Sequence, residues 1–260
     1  MIEVIEVESL NDIYQYREQY INQLSYPQEL YFEEEIRKCK CFLINLNLNT
    51  IGYFCVNPVK VLYEFYINND VLVFAQEIFK LLLEKGYFVA AECKSFDNLL
   101  MSLCFDLHKK ASCTGYLFRE FTNTEYLLNG FDNTNFRIAV PKDLESISEI
   151  SGDFFEDLKE SILREEIFVL CINSNILGVG SCKKVWKSKN YYDLGMVVSE
   201  IHRNKGIGSF IIKKLKDYCC GSNKVPICGC WYYNYASKKA LEKAGFITKH
   251  RIVKFDFYEC

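Results

Sequence analysis

The chain has no apolar run that approaches the roughly 18 residues a membrane-crossing helix needs. Its first residues, Met1-Ile2-Glu3-Val4-Ile5-Glu6, lack the basic lead of an export signal. Only 4 of 260 residues are proline, glycines are few outside short clusters, and no low-complexity tract occurs. These absences exclude a disordered or linker-like chain. What remains is half apolar and a quarter charged, an ordinary soluble composition, long enough for one large domain or two smaller ones. The expected compartment is the cytoplasm, and no membrane partner is expected.

Cysteine is abundant instead, at 13 residues. Cys41, Cys55, Cys104, Cys171 and Cys182 lie in apolar stretches, where a reduced thiol behaves as a small buried hydrophobe. Cys39/Cys41 and Cys228/Cys230 form Cys-x-Cys pairs. Alternate strand residues face opposite sides, and neither pair has the two-residue spacer of structural zinc, so no metal is expected. The net charge of −3 hides a split: residues 1–125 sum to −7 and residues 126–260 to +4. Within the second half, residues 143–166 hold 9 acidic and 2 basic side chains, and a basic excess follows them. That distribution suits a polyanion near the C-terminus and a cationic group beside the acidic stretch, as well as plain solvated helix faces. An acidic chain without an aromatic-basic motif is not expected to bind nucleic acid.

Along the first half, Glu3–Val7 alternates as a strand, and Leu10–Leu24 has helical spacing. Cys41–Leu46 and Ile51–Val56 form a hairpin across Asn47–Thr50, and Val61–Ile67 is a third strand. A helix over Val73–Glu84 presents Phe74, Ile78, Leu81 and Leu82, followed by a strand at Phe88–Cys93 and a helix at Asn98–His108. The turn-rich stretch 131–135 breaks the pattern, which then restarts. Strands are predicted at Phe136–Val140, Ile167–Ile172, Ile176–Val185, Tyr191–Val198, Ile227–Tyr232 and Ile252–Tyr258. Helices are predicted at Leu144–Ser151, Gly206–Cys219 and Ala236–Ala244. Both halves share one order of elements, and a duplicated α+β unit, divided as 1–130 and 131–260, is the economical account.

The most informative stretch is the apolar strand Leu194-Gly195-Met196-Val197-Val198, a polar loop, then Arg203-Asn204-Lys205-Gly206-Ile207-Gly208-Ser209 opening a helix. Ile207, Ile211, Leu215 and Tyr218 would form its inner face, with Lys213, Lys214 and Lys216 elsewhere. Free amides of a first helical turn, with the helix dipole behind them, bind anions. Side chains at Gly206 and Gly208 would hold phosphate oxygens off the backbone. Alone, such a loop is equally a strand–turn–helix connection.

This segment resembles motif A of the GNAT superfamily of acyl-CoA N-acyltransferases. Asn234-Tyr235-Ala236-Ser237 and Leu241-Glu242-Lys243-Ala244-Gly245-Phe246 follow in that family's order. The resemblance is well supported over residues 136–260 and rests on element order alone over 1–125, where Asn68-Asn69-Asp70 carries no glycine pattern. It implies two α+β domains, each a mixed, mostly antiparallel twisted sheet flanked by helices. It also implies splayed fourth and fifth strands in the C-terminal domain, and a degenerate N-terminal copy. By the same resemblance, acetyl-CoA is the co-substrate. The backbone of Met196, Val197 and Val198 would pair with the pantetheine arm, and amides from Asn204 to Ser209 would take the pyrophosphate. Asn234 and Ser237 would bond the far end of the cofactor.

The family's usual acid and base positions are occupied by Leu241 and Gly229, which carry no proton chemistry. Asp193 is the first candidate base, and Tyr233, Tyr192 and Tyr232 are the other candidates. No histidine lies near Cys230 in sequence, so a thiol mechanism is not expected. Asp153, Glu156 and Asp157, around Phe154-Phe155, would attract a cationic amine. The implied activity is direct acetyl transfer to a primary amine of a small molecule or peptide in a ternary complex. The alternative is a non-catalytic acyl-CoA sensor or scaffold. The sequence says nothing of oligomeric state.

Overall fold

The computed structural model describes residues 1–122, 131, 134–173 and 175–259, and the chain forms two compact units. The first is Met1–Gly115 with His250–Cys260, and the second is Tyr116–Lys249. The expected division at 130/131 differs from these units: residues 116–122 join the second, and the C-terminal segment returns to the first. The turn-rich break itself lies partly outside the described residues.

In the first unit, β1 (Ile2–Val7), β2 (Lys40–Leu46), β3 (Asn49–Val56) and β4 (Val61–Ile67) pair antiparallel in sequence order. Asn47 and Leu48, both at left-handed φ, close the β2–β3 hairpin more tightly than its four-residue turn suggested. The helices are α1 (Tyr14–Gln23), α2 (Leu30–Arg37), α3 (Ala75–Glu84) and α4 (Asn98–Leu107). α3 buries Ile78, Phe79 and Leu82, whereas Phe74 stays exposed before its start. β5 (Ala90–Lys94) runs parallel to β4 over only two residue pairs, Val61↔Ala90 and Leu62↔Ala91. Cys41 and Cys55, expected as reduced thiols, are joined by a disulfide. Register explains it: the two face each other directly across β2 and β3.

In the second unit, β7 (Asn135–Ile138), β8 (Ile167–Ile172), β9 (Asn175–Lys184) and β10 (Tyr191–Val198) repeat the antiparallel series. β11 (Val225–Trp231) follows in parallel. α5 (Leu144–Ser151) and α6 (Leu158–Leu163) pack on one face with Ile147, Ile162, Val169 and Val179. α7 (Ile207–Gly221) and α8 (Tyr235–Lys243) cover the other with Leu194, Ile211, Leu215 and Leu241.

Two long strands, β6 (Lys110–Phe121) and β12 (Phe246–Asp256), are each divided between the units. In the first unit residues 252–256 of β12 lie against β5. In the second unit β6 takes that place beside β11, with β12 outside it. Each unit therefore completes one strand order with strand segments from both halves of the chain. β6 and the start of β12 were not legible as strands, because their polar residues interrupt the alternation.

Where β4 and β5 part, the first unit buries an ionic network. Arg17 of α1 donates Nε and Nη2 to Glu64 at 2.8 Å each, and Nη2 also reaches Glu33 of α2 at 3.0 Å. Tyr53 donates to Glu64 at 2.9 Å, and Gln28 donates to Glu33. Lys94, fully buried, donates to Gln28 Oε1 at 3.0 Å and lies over the Phe32 ring. Tyr20 donates to Asp97 at 2.6 Å. Burial alone would push the Glu64 carboxyl up, but the Arg17 guanidinium outweighs it and holds it below the ordinary range. Such a network is stabilising only when complete, because a lone buried charge is costly.

Arg17→Met is accordingly expected to destabilise the first unit by about 3–5 kcal/mol, read as a lower urea midpoint. Because the folded Glu64 value is depressed, its contribution is present above the ordinary carboxylate range. It is lost as the pH falls through the folded value, so Arg17→Met should also flatten the acid limb of stability. An unchanged midpoint would refute the role given to the network.

Candidate functional site

β10 and β11 register only at Tyr191–Asp193 with Val225–Ile227. On its other side β10 stays paired with β9 from Tyr192↔Lys184 to Val198↔Gly178. Among the described residues, then, the edge of β10 that faces β11 has no strand partner beyond Asp193. Backbone polar groups require partners, so this notch suits an extended polar ligand that adds like a strand. Met196, Val197 and Val198 lie along it, and the Val198 carbonyl accepts a bond from Arg203 Nε at 3.3 Å.

After β10 a single turn at Glu200–His202 leads into α7 through Asn204 and Gly206, which have left-handed φ of 63° and 83°. Gly206 is the N-cap and supplies no capping side chain. The first helical bond runs from Phe210 N–H to Gly206 C=O at 3.1 Å. The amides of Ile207, Gly208 and Ser209 precede any intrahelical acceptor, and the helix dipole adds to their field. A Cβ on Gly206 would meet nothing within 4 Å, so the glycine serves the left-handed backbone conformation and not a close approach. An anion of pyrophosphate size fits this cradle.

Gly208 has a different reason for its missing side chain than the one expected. A Cβ there would stand 3.1 Å from Met196 Sδ, so Gly208 lets α7 close on β10. Gly178 and Gly180 do the same on β9, where added Cβ atoms would meet Ile211 and Leu215 side chains at 2.8 Å. Their signal in the sequence is the two-residue spacing, which puts both on one strand face. Ile207, Ile211 and Leu215 are buried as expected of an inner face, with Ile212 and Cys219 added, while Tyr218 is partly exposed.

The basic side chains near the helix are largely engaged. Arg203 also meets Glu200 at 3.3 Å, and Lys205 donates to the Ile201 carbonyl at 3.1 Å, so both brace the loop itself. Lys213 pairs with Asp217 at 2.8 Å. Lys216 is buried and donates to the carbonyls of Thr122 and Ala244 at 2.9 and 2.6 Å, and burial pushes its pKa down. It is a structural lysine and does not extend the anion site. Asn234 caps α8, its Oδ1 accepting from Ser237 N–H at 3.0 Å.

The two faces of the notch are separable residue by residue. Leu194, Met196, Val198, Cys230 and Tyr232 pack into the α7 core. Strand alternation turns Asp193, Gly195, Gly229 and Trp231 to the α5 side. A Cβ on Gly195 would lie 2.6 Å from Ser181 Oγ and 3.5 Å from the Phe154 ring, so both side chains pack directly on that backbone. Asp193 sits at the closed end of the notch, in register with Ile227 on one side and Lys183 on the other. Tyr233 lies beyond the end of β11, edge-on to Trp231 at 5.1 Å. Ile227 and Trp231 lie four residues apart on β11, roughly 13 Å of extended chain, and Tyr233 sits in the turn that follows. Of the two candidate catalytic residues, Asp193 thus lies where β10 and β11 part, and Tyr233 in the turn after β11.

Tyr232 stacks on Tyr116 at 4.8 Å within the α7-side core, and Lys224 lies over the Tyr192 ring at 4.6 Å. Leu241 is buried in the same core. The acidic stretch is partly spent as well: Asp157 is bonded by Lys183 at 2.6 Å, by Ser161 at 2.9 Å and by Arg164. Burial pushes that carboxyl up, but the hydrogen bonds prevail and hold it at about 2.

Residues 9–121 match a family model described as an acetyltransferase (GNAT) domain, and residues 136–246 match one described as the acetyltransferase (GNAT) family. No curated protein sequence matches significantly. A GNAT-family acetyltransferase from Colwellia psychrerythraea superposes with a TM-score of 0.89 at 23% identity, covering 98% of this chain and all of that one. A GCN5-related N-acetyltransferase from Sphaerobacter thermophilus gives 0.64 at 11% identity, covering 98% and 94%. A tandem GNAT protein of the clavulanic acid biosynthesis pathway gives 0.59 at 9% identity, with both chains fully covered. At these identities the structural likenesses establish the fold.

Gly206→Ala is expected to lower stability by about 1–2 kcal/mol through its left-handed backbone, and Gly206→Asn by less, since asparagine tolerates that region. Thermal unfolding of the pair checks this, and equal midpoints for all three proteins would contradict the assigned conformation.

Proposed function

Since this chain is a tandem protein of the GNAT acetyltransferase fold, we propose that its second unit moves an acetyl group from acetyl-CoA directly to a primary amine in a ternary complex. The observation that carries this is the one-sided β10 edge leading straight into the amide cradle before α7. The cradle takes the pyrophosphate at the amides of Asn204 to Ser209. The notch takes the pantetheine arm along Met196, Val197 and Val198, and Asn234 and Ser237 meet the far end of the cofactor. This lays the thioester near the closed end, beside Asp193.

Transfer requires a neutral amine. The Asp193 carboxylate accepts its proton, the nitrogen attacks the thioester carbonyl, and the C–S bond breaks. The products are the acetamide and CoA thiolate, which takes its proton from solvent. Positioning of the two substrates supplies much of the rate.

In the first unit the matching fork is filled by Arg17, Glu64 and Lys94, each buried and bonded. That side-chain packing supports one working site per chain.

Calorimetry is expected to give one acetyl-CoA bound per chain and none to Gly206→Glu, whose carboxylate would occupy the cradle. Two sites per chain, or unchanged affinity in the variant, would overturn this placement. Thiol release from acetyl-CoA across a panel of amines tests turnover, and Asp193→Asn should lower kcat about 100-fold or more. Cofactor binding without release for any amine would mark a non-catalytic acyl-CoA module instead.

A further inference from the structure

We infer that Cys182 and Cys219 form a dithiol site that reduces hydrogen peroxide and closes into a disulfide between β9 and α7. This chemistry is separate from acyl transfer and does not depend on it. The two sulfur atoms lie 3.4 Å apart, although 37 positions separate the residues in the chain. Both are buried free thiols.

Two periodicities bring them together. Gly178, Gly180 and Cys182 are alternate residues on one face of β9. Ile207, Ile211, Leu215 and Cys219 recur every four residues along α7, and all are buried. The side chains of Ile207 and Ile211 sit against Gly178, and those of Ile211 and Leu215 against Gly180. One seam therefore runs along strand and helix, and the thiol pair is its last step. Cys219 lies twelve residues beyond Ile207, about 18 Å along the helix from the amide cradle.

The pair is asymmetric. A hydrogen bond from Cys219, outweighing burial, holds the Cys182 thiol below the ordinary cysteine range, and the positive charge of Lys224 acts in the same direction. That bond and burial push the Cys219 thiol up. Cys182 also keeps 4% exposure, whereas Cys219 keeps none. Cys182 is thus the nucleophile and Cys219 the resolving thiol.

The Cys182 thiolate attacks one peroxide oxygen and the O–O bond breaks. The other oxygen leaves as hydroxide and takes up the proton that Cys182 had released, giving water. Cys219 Sγ then attacks the sulfenic sulfur and forms the S–S bond. The sulfenic oxygen departs with the Cys219 proton as a second water. Two thiols lose two electrons, and one peroxide gains them. A second buried pair, Cys93 and Cys104, approaches at 3.9 Å across β5 and α4. Burial and the Cys104 thiol push Cys93 well up, and neither residue is exposed, so this pair stays reduced.

Cys220 is exposed beside Cys219 and would compete for oxidant, so the test uses the full chain carrying Cys220→Ser. Stoichiometric hydrogen peroxide, followed by alkylation and mass spectrometry, is expected to show a Cys182–Cys219-linked peptide and the loss of two free thiols. The bond closes a long loop of the unfolded chain, so Tm should rise by about 5–15 °C, and dithiothreitol should reverse the rise. Adding Cys182→Ser should abolish both the linked peptide and the peroxide-dependent shift, whatever the starting Tm of that variant. No linked peptide from the folded chain, equal oxidation of Cys93 and Cys104, or a link without a rise in Tm would overturn the assignment.

Discussion

β10 and β11 pair over three residues and then part, and the features of the second unit follow from how that broken ladder is resolved. A strand edge without a partner is costly inside a protein unless another polar chain or water completes it. Here the open edge runs into a helix whose first amides are equally unpaired. The two unsatisfied backbone segments are consecutive in the chain, and together they describe one extended ligand with a polar arm and an anionic end. The glycines divide the work between them. Gly206 carries the left-handed turn, while Gly208, Gly178 and Gly180 let α7 sit close enough to the sheet for the turn to face the notch.

The first unit shows the other resolution of the same geometry. β4 and β5 also part early, but Glu64 and Lys94 project where the second unit has glycine and a half-buried cysteine. Once a carboxylate and an ammonium are buried, physics demands counter-charges and hydrogen bonds. Arg17 and Tyr20 of α1, Glu33 of α2, Tyr53 of β3, the loop residue Gln28 and the α4 cap Asp97 supply them. A fork built this way is held shut by its own completeness, since opening it would strand charges in an apolar interior.

Several elements were legible because their determinants are local. The periodicity of Ile207, Ile211 and Leu215, the alternation over Glu3–Val7, and the glycine loop after an apolar strand each follow from a few neighbouring residues. β6 was missed because Lys110 to Phe121 is polar where it is half exposed and apolar only where it enters the second unit's core. α2 and α6 are short, and their helical form depends on what they pack against. The Cys41–Cys55 bond and the burial of Lys216 each depend on residues far away in sequence or on register across strands.

The sequence by itself determined the order of elements, the glycine loop before α7 and the family resemblance, because those reside in contiguous patterns. Only the tertiary structure decided which charges are already spent on one another. Asp157 lost its place as an amine-attracting group to Lys183, 26 residues away. The strand segments completing each unit came from both halves of the chain. Partners of this kind are set by long-range crossings of the backbone, and a local pattern carries no record of them.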